Sequence, residues 1–456
     1  MAVDLQQIDP QWAWAPYQPT EERPWNRRWA AHLFRRAGFV ATQTELRSAV
    51  DRSPQEVVRD LVEHRTEDEG YAAELDALGK ASLATGDARR LAVWWLHRLM
   101  TTRDVLREKT TLFWHGHFAT SAEKVTDSQL MFQQNELLRE QALGDFKLLA
   151  QGISKDPAML IYLDSVTNRK AHPNENYARE IMELFCLGEG NYSEQDIREL
   201  ARCFTGWEIR RDKYRFNAYQ HDSGQKSLLG SGNVKSGEEG VDVVLKQSAS
   251  PQFLCRKLVQ FFLFDEPVPS PELLQPLAEE LRQNDLQIGP TIQRILGSNL
   301  CFSETAFGRK VRSPIEFGVG LLRGLDGSTN VVQLSEGLRG LGQELFYPPN
   351  VKGWDGGRTW INSSTLLGRA NLVRRLLNDE TTRFGRGSLH DYAQAQGWED
   401  GQQFVEGIVS LLFAIPPGES VQAEVAALVD NGTGPVESRY RDALHWLCSL
   451  PAFQLS

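Results

Sequence analysis

Cysteine is scarce in this chain and poorly placed for cross-linking. Five occur, at Cys186, Cys203, Cys255, Cys301 and Cys448. The number is odd, the spacing is wide and no C-x-x-C pair exists, which argues against a disulfide framework or a zinc ribbon. Reduced, mostly buried thiols are expected instead. No apolar run is long enough to span a bilayer. Positive charge is not in excess either: 50 Lys and Arg stand against 60 Asp and Glu, a formal net charge of −10. Nucleic-acid and anionic-membrane partners favour a basic face, so neither is expected. The opening MAVDLQQIDPQWAWAPYQPTEERPW has no basic n-region and no apolar h-region, and does not read as a secretory signal. A cytoplasmic location is the expectation, with export alongside a partner as the alternative. There is no repeat of solenoid period and no low-complexity tract.

What is present reads as a globular, helical protein. Over 456 residues, 41% are hydrophobic and 24% charged, enough to bury a large core. Residues 1–24, rich in Pro and Trp, are expected to lie as an extended arm anchored by Trp12, Trp14 and Tyr17. Residues 25–380 are expected to form the main helical domain. Residues 381–456, which carry a Gly/Arg-rich stretch near 384–388, are expected to add a helical extension packed on it. Ala30, Leu33, Phe34 and Ala37 keep the i, i+3, i+4, i+7 spacing, with Gly38 placed to end that helix. Thr42 with Glu45 reads as a capping box. Ser53-Pro54, Ser250-Pro251, Ser270-Pro271 and Ser313-Pro314 each precede an apolar-periodic run. Serine there accepts from an unpaired amide, and proline next to it loses no hydrogen bond. The fold class is therefore all-α, a multi-helical bundle. One interruption is expected near 207–240, where EIRRDKYRFN reads as a short strand followed by a hairpin or irregular loop. QELFYPPNVKGWDGGRTWIN, 343–362, is also non-helical.

Four segments concentrate polar residues. In Trp114-His115-Gly116-His117-Phe118, residues two apart on a helix point to nearly opposite faces. Both imidazoles reach one site only if the helix unwinds at Gly116; otherwise they are hydrogen-bonded helix-end residues. In NENYAREIMELF, Asn176, Glu180 and Glu183 form one stripe, and Glu175, Arg179 and Glu183 another. These are a solvated face with Glu–Arg pairs, or a carboxylate cluster for a metal or for acid/base work. His221-Asp222 in a glycine-containing loop is a ligand or base arrangement, or an Asx-turn. Asn350, Lys352 and Trp354 in the last segment suit stacking and hydrogen bonding to a sugar or other polar ligand, or a structural loop whose tryptophans plug the core.

WHGHFATS, NENYAREIMELFCLGEGNYSEQDIRELARCFTGW, HDSGQKSLLG, FLCRKLVQFF, RSPIEFGVGLLRGL and LFYPPNVKGWDGGRTWINSSTLLGRANL resemble, in order, the bacterial family of domain of unknown function DUF1800. AAHLFRRAGF is similar to that family's opening. The resemblance implies a helical fold and a sulfatase-like partner of the alkaline-phosphatase superfamily, DUF1501. It also implies export for many members. The chain departs from the family in its signal-free opening and in Cys186, where threonine is more common. No catalytic residue is carried over. Two functions follow as expectations. The first is a metal-dependent or acid/base enzyme with Glu180 and His221 as catalytic groups. His115, His117, Glu183 and Asp222 would hold a divalent metal (Zn, Mn or Fe), and Asn174, Asn176, Arg179, Asn350, Lys352 and Trp354 would shape the site. The second is a non-catalytic accessory or scaffold for the sulfatase-like partner, with the same residues as a buried network.

Overall fold

Helix starts are set where a side chain takes up the backbone amides that the first turn leaves unpaired. Thr42 accepts from the Glu45 amide at 3.1 Å while Glu45 accepts from the Thr42 amide at 2.7 Å. Ser53 with Glu56 and Ser313 with Glu316 form the same reciprocal box, and Ser270 caps the Leu273 amide. Ser250 does not cap. Its helix, Ala249–Phe262, starts earlier from Ser248, because a proline fits anywhere in a first turn. The computed structural model describes residues 8–63 and 67–456. Among these are 23 α-helices and three two-stranded antiparallel ribbons, an all-α architecture.

Two helices form the centre. Every residue of Pro314–Gly324 is buried, as are all of Val105–His117 except Arg107 and Gly116. Charges on such helices must be paired, because an unpaired charge in the interior is heavily penalised. Lys109 of one helix pairs with Glu316 of the other, and Glu108 takes both Arg98, at 2.7 Å, and Arg139, at 2.6 Å. One continuous apolar core reaches from Ala13 to Phe453, so Leu412, Val425 and Leu444 of the C-terminal helices belong to it. All five cysteines are buried and unpaired. No described helix is long and apolar enough to cross a membrane.

Three expectations need correction. The arm is not extended throughout: residues 10–14 coil into a short helix capped by Asp9, and residues 1–7 lie outside the described residues. Trp14 is buried and donates to the Leu273 carbonyl at 2.6 Å, and Tyr17 stacks on Phe302, whereas Trp12 is 41% exposed. The segment read as one strand is itself a hairpin, Trp207–Arg210 against Lys213–Phe216. Arg211 and Asp212 both take positive φ, the turn that matches strand twist. A second, smaller ribbon pairs Ser227–Leu228 with Ser231–Gly232. Finally, the helix read in NENYAREIMELF starts at Asn176 and widens into a π-helical turn, Ile181–Cys186. Such turns release backbone carbonyls from the regular ladder and are frequent at functional sites.

A polar cleft as the candidate functional site

The Val105–His117 helix runs to His117 without unwinding, so the two imidazoles separate. His115 turns into the core, edge-on to Trp95, and its Nε2 accepts from the Phe346 amide at 3.0 Å. That bond uses the Nε2 lone pair. His117 turns the other way, among Phe113, Trp114 and Phe185. Its Nε2 meets the Phe185 carbonyl of the π-helical turn at 2.9 Å. A carbonyl only accepts, so Nε2 carries the proton and Nδ1 is bare. Burial pushes both imidazoles down to about 3, and nearby Lys257 adds to the effect on His117. Both are therefore neutral at pH 7, and a group so weakly basic is a poor general base.

The loop after Asn350 lies directly on this helix. Asn350 Oδ1 accepts from the Lys352 amide at 2.8 Å and its carbonyl from the Gly353 amide at 3.1 Å, closing a turn. Gly353 has φ +77°, and a Cβ there would lie 2.2 Å from the Gly116 carbonyl oxygen. The glycine of KGW thus lets the loop backbone touch the helix at Gly116. The contact sets Trp354 beside His115, ring centroids 5.8 Å apart, with its Nε1 donating to the Gly342 carbonyl at 3.1 Å.

Between this loop, His117 and the Ala249–Phe262 helix opens a cleft of about 430 Å³ lined by Lys257, Gln260, Lys352, Trp354 and Trp360. A broader groove of about 960 Å³, carrying Glu183, lies on the other side of Lys257, which lines both. As many carboxylates as cations line the cleft, Asp355 among them, and the charges are unevenly paired. Lys310 pairs with Asp265 at 3.0 Å, Arg358 with Glu266 at 3.0 Å, and Lys109 with Glu316. Among the described residues no carboxylate comes within ion-pair distance of Lys257 or Lys352. Burial lowers the Lys257 ammonium, and the charges of Arg256 and Lys352 lower it further. Glu316 stays ionised at about 2: burial pushes it up, but Lys109 and Lys310 outweigh that.

The other expected site residues are dispersed. Glu180 is half-buried; burial and then Glu183 raise its carboxyl, while Arg179 and Lys352 pull it down. Glu183 accepts from the Tyr192 hydroxyl at 2.8 Å. Arg179 belongs to a surface network with Glu194, at 2.8 Å, and Glu175. Asn174 is structural: its amide donates to Asn168, its side chain donates to the Asp164 carbonyl, and its Oδ1 accepts from the Asn176 amide. Asn176 is exposed. His221 points Nδ1 at the Thr205 carbonyl, 2.8 Å, and Nε2 at the Lys235 carbonyl, 2.9 Å. Asp222 pairs with Arg202 at 2.7 Å. His221 and Asp222 are thus tied to the 202–205 turn and line neither cavity. The expected metal ligands His115, His117, Glu183 and Asp222 therefore do not share a site. Among the described residues no group of three or more His, Cys, Asp or Glu is placed to hold a metal ion.

Sequence reasoning missed Lys257, Gln260 and Trp360. A signal for the first was present: FLCRKLVQFF sets Arg256-Lys257 into an apolar helix, where at least one charge must face a polar space.

Fold and cleft define a mostly helical protein with a small polar cleft. The family model described as "Protein of unknown function (DUF1800)" matches residues 32–455, and the chain belongs to that family. No curated protein and no solved structure matches it.

Proposed function

We propose that the chain binds a small organic anion in the cleft and acts on it by proton transfer, with Lys257 as the acid/base group. The observation that carries this is a half-buried lysine that forms no ion pair among the described residues and lines the cleft with a second such lysine, Lys352. An uncompensated ammonium in a cleft is a poor arrangement for an empty pocket and a good one for an anionic ligand. Burial and the charges of Arg256 and Lys352 also make the Lys257 ammonium a readier proton donor than that of an exposed lysine. Lys352 holds the anion, Trp354 and Trp360 give an apolar wall, and His117 offers its bare Nδ1 as an acceptor. No step through a metal is included, since the expected ligands do not converge. Lysine acetylation followed by mass spectrometry tests the reading: Lys257 should react at a pH where exposed lysines are still protonated, and added organic anion should protect it. Labelling at Lys257 no earlier than at Lys213, an exposed lysine, would count against it.

A second reading keeps the chain as a non-catalytic companion of a sulfatase-like DUF1501 protein. It is favoured by the internal bonds of His115, Asn174, His221 and Asp222, which make much of the motif polarity structural. Co-purification with such a partner that survives Lys257→Met separates the two.

A further inference from the structure

Arginine is rarely buried without a carboxylate, because its five N–H donors and its charge both need partners. Four arginines break that rule together. Arg35, Arg36, Arg312 and Arg369 are exposed by 3%, 1%, 1% and 0%. None forms an ion pair with Asp or Glu among the described residues. Their partners are main-chain and amide oxygens. Arg36 donates to the carbonyls of Ala306, 2.7 Å, and Ser456, 2.9 Å; Arg312 donates to the carbonyls of Leu455 and Leu412; Arg369 donates to Gln454 and to the Arg312 carbonyl. Donors are left over: Nε and Nη1 of Arg35, Nε of Arg36, Nη1 of Arg312 and Nε of Arg369 are buried with no acceptor.

The four act on one another. Arg35 is lowered by burial and then by Arg312 and Arg36, while Arg36, Arg312 and Arg369 are each pushed down to about 10, with burial the largest cause. The carboxylates that reach Arg36 electrostatically, Asp265 and Glu316, are already held by Lys310 and Lys109. Removing a guanidinium's proton is not an available escape. Several positive charges and five idle donors in one part of the core are the complement of one missing component, an oxyanion.

We infer that Arg35, Arg36, Arg312 and Arg369, beside the 454–456 segment, form a buried oxyanion-binding centre of the carboxylate or phosphate class. It is distinct from the cleft. Two sources supply that chemistry: a free oxyanion, or a carboxylate placed at Ser456 in a chain that ends there. In either case the anion joins the Arg27–Ala37 helix to the last residues, so it sets stability.

The probe is inorganic phosphate. Melting temperature is followed from zero to ten millimolar phosphate against chloride of equal ionic strength, a range in which general salt effects are small. The 456-residue chain, the same chain extended past Ser456 by two glycines, Lys257→Met and Arg35→Met are compared. Arg35 is the informative position because it makes no hydrogen bond that its loss would break. A free oxyanion gives a saturable rise of about 2–3 °C at a hundredfold excess over the dissociation constant. The rise should persist in Lys257→Met and vanish in Arg35→Met. If a carboxylate at Ser456 fills the centre, only the extended chain responds, and it melts lower than the original without phosphate. Flat titrations in both chains overturn the inference. Arg35→Met melting above the original chain at ten millimolar phosphate also overturns it, since relief there follows only if the anion leaves the cluster uncompensated.

Discussion

Replacing Gly353 by alanine tests how the cleft is assembled. Two penalties add. At φ +77° an L-residue other than glycine is strained by about 1–2 kcal/mol. The new Cβ would also lie 2.2 Å from the Gly116 carbonyl oxygen, whereas contacts below 3.0 Å do not survive, so one backbone must move by roughly an ångström. That movement lifts the loop off the Val105–His117 helix and loosens Trp354 against His115, which adds about 1–2 kcal/mol of lost packing. The sum is about 2–4 kcal/mol. At roughly 2 cal/mol/K of unfolding entropy per residue, 456 residues convert it to a melting shift of about 2–4 °C. Differential scanning calorimetry of Gly353→Ala and Gly353→Asn reads it. Asparagine tolerates left-handed backbone but keeps the Cβ, so it should recover only the strain part. Wild-type melting and intact ligand binding in Gly353→Ala would refute the contact; full recovery by asparagine would show that strain alone matters.

Asp156 is a second test. Burial raises its carboxyl to about 7, against hydrogen bonds from the Met159 amide and Gln134 that favour the anion. The folded state therefore holds a proton that the unfolded chain releases near pH 4, and stability should fall as pH rises from about 4 to about 7. Asp156→Asn keeps the cap acceptor; it should flatten that slope and raise the melting point at pH 8. An unchanged pH profile of melting would show that burial does not dominate. Glu180→Gln should leave melting within about half a kcal/mol of wild type at neutral pH, or slightly above, because burial and Glu183 already disfavour its charge. A large loss, read by urea titration, would reveal a partner that Glu180 lacks here. Chelator should not move the melting point of the purified protein, because the expected ligands are engaged elsewhere. A fall of several degrees with chelator would restore the metal reading.

Much of the fold was legible because caps are local. Thr42–Glu45, Ser53–Glu56 and Ser313–Glu316 each satisfy their own amides within four residues, so no distant information is needed. Glu69–Ala84 was missed because only Leu75 and Gly79 of it are buried, which leaves no apolar stripe to read. The π-helical turn was missed since Ile181–Cys186 has ordinary helical spacing, and its carbonyl register depends on His117, 68 positions away. The site was half legible. The expected meeting of the 111–120 and 347–362 segments is seen in the Gly116–Gly353 contact, and the residue just after the 174–184 segment, Phe185, reaches His117 through its carbonyl. The 219–226 segment does not join, because Arg202 and Thr205 hold it where it folds. Polarity alone cannot distinguish a side chain facing a ligand from one tying a turn, and His221 and Asp222 are of the second kind.

Calorimetric titration of citrate, a multivalent organic anion, into the wild-type chain and Lys257→Met at low ionic strength tests the central claim most directly. The account predicts saturable binding that weakens about 10–100-fold in the variant, the worth of one desolvated charge-assisted bond, and that declines as salt rises. Equal binding by Lys257→Met, or no heat and no protection of Lys257 across carboxylates and phosphates, would contradict it.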